Sequence, residues 1–118
     1  MFVYHQSTGE LYLHGTLLGV GYSGNGEGLN NPEMEDVKNV GPIPAGRYYI
    51  GAPFYHSKKG PVCMRLEPVG HDALGRSGFM IHGDNREVNH TASEGCIILN
   101  RSLRQIIADE LEFELEVI

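Results

Sequence analysis

The chain has 118 residues, 41% of them apolar, and a formal net charge of −6 from nine Lys and Arg against fifteen Asp and Glu. That excludes a nucleic-acid footprint, which needs clustered cations; no apolar stretch approaches the roughly 20 residues that span a bilayer, and no charged start followed by an apolar run marks a secretory signal. Sixteen glycines and six prolines predict a single β-rich domain over residues 1–118 with one real core.

In chain order, residues 2–5 and 11–14 alternate apolar and polar around a turn containing Gly9, which predicts a β-hairpin, and residues 17–22 extend its sheet. Residues 23–44, rich in Gly, Asn, Pro and acids, predict a long loop that walls or covers a site. The glycines there lack the Gly-Lys-Ser/Thr ending of a phosphate loop. Short strands are predicted over 47–50 and 62–67, with a turn-rich link over 71–77. Asn100 is a good N-cap, and Leu103, Ile106, Ile107 and Leu111 share one face of a helix. Phe113, Leu115 and Val117 then alternate with glutamates as a final strand with one buried face.

The chemistry concentrates in residues 78–100, G-F-M-I-H-G-D-N-R-E-V-N-H-T-A-S-E-G-C-I-I-L-N. His82 ends one apolar run and Cys96 opens another. Paired side by side, the two runs bring an imidazole to a thiol, the usual way of making a thiolate nucleophile. Gly95 lets the backbone approach a bound carbonyl, and the N–H groups of Gly95 and Cys96 face its oxyanion. Ser93 shapes the turn or assists that oxyanion. Cys63, in the alternating run V-C-M-R-L, reads as a small buried hydrophobe, although one Cys63–Cys96 bridge is a formal alternative. Asp84 is the side-chain candidate for orienting His82. Asn85 is either a substrate contact or a turn-former, and His71 lies close enough in sequence to line the cleft. His5, His14 and His56 read as surface or strand-edge residues, and Tyr48, Tyr49 and Tyr55 as packing residues. Two rival readings are a zinc hydrolase built on His82, Asp84, His90 and Cys96, and a non-enzymatic binding module in which Cys96 is merely buried.

The motifs His82-Gly83 and Ser93-Glu94-Gly95-Cys96-Ile97-Ile98-Leu99, the segment I-P-A-G-R-Y-Y-I ending at Ile50, and the capped helix with a last strand resemble, in that order, the YkuD-type L,D-transpeptidase catalytic domain. The compact length and the A-S-E-G-C-I form are most similar to the short L,D-transpeptidase-like effectors of type VI secretion systems. The resemblance implies a mainly β (α+β), YkuD-like sandwich or barrel with one C-terminal helix and a final strand. It also implies a Cys96 acyl-enzyme acting on the terminal D-alanine of peptidoglycan stem tetrapeptides, without cofactor or metal, in the periplasm of a target bacterium. His82 would be oriented by the Gly83 carbonyl. A cognate immunity protein and the secretion machinery are the implied partners. Glu94 and Ile98 stand where that family has His and Arg, which leaves open how the substrate carboxylate is held; Arg101, Arg47 and Arg86 are the candidates to replace that arginine.

Overall fold

The computed structural model describes residues 1–85 and 90–118. Among them, ten strands hydrogen-bond into one sheet: β1 (Phe2–Tyr4), β2 (Glu10–Leu13), β3 (Thr16–Val20), β4 (Tyr22–Ser23), β5 (Gly46–Ile50), β6 (Phe54–His56), β7 (Gly60–Val69), β8 (Met80–His82), β9 (Ile97–Ile98) and β10 (Glu114–Val117). One helix, α1 (Arg101–Asp109), accompanies them. The spatial order is β3-β2-β1-β10-β5-β7-β8-β9-β4, with β6 added on β7. The domain is therefore mainly β with one helix and a final strand.

The two ends of this path, β3 and β4, are consecutive in the chain and separated by Gly21 alone, so the sheet curls back on itself. Gly21 is required there. A Cβ at that position would stand 2.0 Å from the Ile98 carbonyl oxygen and 2.6 Å from a Leu99 methyl, and its N–H closes a 2.8 Å bond to Gly9.

Alternation explains the first hairpin: Phe2, Tyr4 and Leu11 point into the core while their neighbours are less buried. β10 sits at the centre of the sheet, parallel to β1 (Phe2↔Leu115) and antiparallel to β5 (Leu115↔Tyr48). Ile43, Ile50, Met64, Leu66, Ile81, Ile97 and Leu99 complete one core with Leu103 and Ile107 of α1. Asn100 caps α1 by accepting a bond from the Leu103 N–H at 2.9 Å.

Three expectations are corrected. The helix stops at Asp109 because Glu110 turns to extended backbone (ψ 148°), so Leu111 leaves the apolar face and is 90% exposed. Phe113 lies outside β10 and is half exposed, so the buried face of the last strand is Leu115 and Val117 only. β6 was not expected. Cys63 and Cys96 are both free, and fully buried Cys63 places its sulfur 3.4 Å from the Gly60 carbonyl oxygen.

The 23–44 loop is tied down rather than loose. It contains two short 3₁₀ turns, Gly26–Gly28 and Pro32–Met34. Buried Gln6 donates to Glu35 Oε1 and to the Ile43 carbonyl, and Glu35 accepts the Ala45 N–H. No helix among the described residues is long and apolar enough to cross a membrane.

Candidate active site

β8 and β9 lie side by side and parallel, with Ile81 opposite Ile97 and His82 opposite Ile98. Carrying that register back one residue sets Cys96 opposite Met80, and the period-two alternation of strands puts Cys96 and His82 on one face. Both side chains line a cavity of about 550 Å³. His82 is buried and Cys96 half-buried.

His82 Nδ1 lies 2.8 Å from the Gly83 carbonyl oxygen. A carbonyl only accepts, so Nδ1 carries the proton and Nε2 keeps its lone pair. Asp84, the side-chain alternative, is committed elsewhere: it accepts the Tyr22 hydroxyl at 2.8 Å and the Asn85 N–H at 2.9 Å. Tyr22 in turn accepts the Ala92 N–H at 3.1 Å, which clasps together both described ends of the β8–β9 connection.

The turn before Cys96 is organised by Ser93, whose side chain is fully buried. Its Oγ accepts the N–H of Gly24 at 2.9 Å and of Gly95 at 3.1 Å, and donates to the Cys96 carbonyl at 2.6 Å. This alters the expected oxyanion site. The single Ser93 proton is spent on Cys96 and the Gly95 N–H is spent on Ser93, so the Cys96 N–H is the donor left of the expected pair. Gly95 has φ +133°, and a Cβ there would stand 2.6 Å from the Arg76 guanidinium and 2.9 Å from the Phe79 ring.

Arg76 holds the long loop against this turn. Its guanidinium donates to the carbonyls of Glu35 (2.6 Å), Pro42 (2.7 Å), Gly41 (3.0 Å) and Glu94 (3.1 Å) and lies over the Phe79 ring. Arg104 plays the matching part behind His82. It donates to the Leu99 and Pro61 carbonyls, and its guanidinium lies where a Cβ on Gly83 would be, 2.8 Å away. Neither role was evident from the sequence.

Burial lowers the His82 pKa below the usual imidazole value; the Gly83 bond opposes this, and the charges of Lys59, Arg104 and His56 add to it. Burial raises the Cys96 thiol, against the pull of the Met80 main chain and of Lys59. Both shifts favour the uncharged forms, a neutral imidazole and a neutral thiol.

Asp84 and Asn85 line the cavity; Arg47, Arg101 and His71 do not. Arg47 projects from the exposed face of β5 toward Glu114, 3.8 Å away. Arg101 is exposed at the start of α1. His71 donates Nε2–H to the Arg47 carbonyl at 2.8 Å, accepts the Ala73 N–H, and packs edge-on against Tyr48. Arg86 lies outside the described residues. The cations that do line the cavity are Arg76, Lys38, Lys58 and Lys59.

A second hollow of about 320 Å³, lined by Tyr22, Asp84, His90 and Ile98 among others, lies on the other side of Asp84. His90 packs edge-on against Tyr22 there. The four donors of the zinc reading are therefore divided, and among the described residues no group of three His, Cys, Asp or Glu side chains converges as a metal site would require.

A family model described as the Tlde1 domain matches residues 19–117. Among curated proteins none matches the chain.

Proposed function

The chain belongs to the Tlde1 domain family, and because that membership fits a type VI secretion effector with peptidoglycan activity, we propose that it is a cysteine-dependent enzyme of stem peptides, an L,D-carboxypeptidase with L,D-transpeptidase exchange activity. The observation that carries this reading is that Cys96 and His82 share one cavity, with His82 Nδ1 tied to the Gly83 carbonyl so that Nε2 is the basic nitrogen. The likeness to YkuD-type domains rests on the motifs.

His82 Nε2 takes the thiol proton of Cys96, and the sulfur attacks the carbonyl of the third stem residue, meso-diaminopimelate, where it joins D-alanine. The oxyanion is held by the Cys96 N–H. Collapse breaks the C–N bond, and His82 returns its proton to the departing amine of D-alanine. His82 then activates water against the thioester to release tripeptide, or an incoming amine takes the acyl group. Starting from a neutral pair, proton transfer accompanies attack instead of preceding it. An effector of this kind acts in the periplasm of the target cell and requires a cognate immunity protein in the producer.

Cys96→Ala should abolish conversion of tetrapeptide to tripeptide muropeptides, with product masses measured with and without an added D-amino acid to separate hydrolysis from exchange. Undiminished conversion by that variant would sink the mechanism.

A further inference from the structure

A peptide ending in D-alanine carries a free carboxylate beside the scissile bond, and diaminopimelate carries another on its side chain. A cleft that cuts there must hold anions close to its nucleophile. The chain has only three lysines, Lys38, Lys58 and Lys59, and all three line the cavity that contains Cys96 and His82. They arrive from separate segments, the 23–44 loop and the β6–β7 turn. In a chain of net charge −6, this gathers positive charge at one place.

The lysines are available. The ion pairs among the described residues join Met1 to Glu112 and Arg47 to Glu114, and involve none of the three. The arginines are engaged: Arg76 spends four N–H groups on carbonyls, Arg104 is bonded to Leu99 and Pro61, and Arg65 lies over the Phe54 ring. The lysine turn is also pre-formed. His56 Nδ1 accepts the N–H of Lys58 at 3.0 Å and of Lys59 at 3.1 Å, which fixes the tip of the hairpin. Of the two described acids that line the cavity, Asp84 is committed to Tyr22 and Glu94 is exposed to solvent without an ion pair among the described residues.

We propose that Lys38, Lys58 and Lys59 form a carboxylate-binding wall, with Lys59 seating the terminal carboxylate of the stem peptide beside Cys96 and His82. The wall takes the place of the arginine that Ile98 displaces in the motif. It rests on the stem-peptide reading above. Lys59 lines the same cavity as Cys96 and His82. Ammonium groups on flexible stems act as point charges without a fixed fork, so they accept a carboxylate in more than one orientation.

The test is calorimetric binding of a stem tetrapeptide and of its C-terminal carboxamide to the Cys96→Ala protein at low and high salt, in parallel with turnover by the unaltered enzyme. The acid should bind roughly tenfold tighter than the amide at low salt, and the preference should shrink as salt rises. Adding Lys59→Met should bring the acid down to the level of the amide, while Lys59→Arg should retain most of the preference. Equal affinity for acid and amide, no binding of either, or a preference that survives joint replacement of the three lysines by methionine overturns the inference. Loss of turnover with the acid preference intact would instead sink the enzymatic reading and leave the wall standing.

Discussion

Replacing Ser93 with alanine removes one oxygen that three main-chain groups share in a fully buried site. Alanine leaves the N–H groups of Gly24 and Gly95 and the carbonyl of Cys96 without that partner, in a space too tight for easy rearrangement. Each buried orphan costs about 1–3 kcal/mol before relaxation. Because the three belong to one turn and relax together, the sum is not additive, and the expected loss is about 3 kcal/mol. Against a typical total of about 5–15 kcal/mol the domain still folds. With a urea m-value of about 2 kcal/mol/M, the unfolding midpoint should fall by about 1.5 M at unchanged m. The same turn carries Cys96, so formation of acyl-enzyme, followed by mass spectrometry of the trapped thioester, should slow even in buffer where the variant is folded. A stability loss below about 0.5 kcal/mol would refute the idea that Ser93 organises the nucleophile turn.

Burial keeps His82 deprotonated to lower pH and Cys96 protonated to higher pH than free side chains. The pH profile of kcat/KM should therefore be a broad plateau, its acid limb below the ordinary imidazole value of 6.5 and its alkaline limb above the ordinary thiol value of 9.0; a narrow bell inside those limits contradicts it. The Tyr4 hydroxyl is buried and has no hydrogen-bond partner among the described residues. Tyr4→Phe should raise stability by about 1 kcal/mol in urea titration, and a loss of that size would mean the hydroxyl is satisfied. Gly21→Ala drives a Cβ into the Ile98 carbonyl and should cost about 3 kcal/mol or prevent folding; a variant of normal midpoint would show that β4 and β9 can separate without penalty.

What was legible in the sequence was whatever local pattern encodes. The runs ending at His82 and starting at Cys96 are short, apolar and bounded by glycines, and they do pair. Asn100 signalled its helix because an N-cap acts within three residues. The end of that helix was less clear: Leu111 keeps the helical period, but Glu110 has already turned to extended backbone. The three residues of β6 follow Pro53 and precede the lysine turn, too short a run to declare itself, and they hold only by pairing with β7. The cationic side of the cavity was hidden for a different reason. Chemical type and nearness in sequence point to the arginines, yet alternation turns Arg47 outward on β5, while Lys38 and Lys59 join the cavity that holds Cys96 only through tertiary folding. The oxyanion donors failed in part for the same cause, since Ser93 takes up the Gly95 N–H from within the turn itself.

The position of β10 between β1 and β5 decides how the sheet is assembled. Without β10 the strand ladder falls into two halves, β1 to β3 and the strands around Cys96 and His82, linked only by the chain itself at Gly21. The pairing that joins them spans nearly the whole chain, the kind of contact that forms late because loop closure must come first. The strands that carry Cys96 and His82 can therefore pair among themselves before β10 joins them to β1.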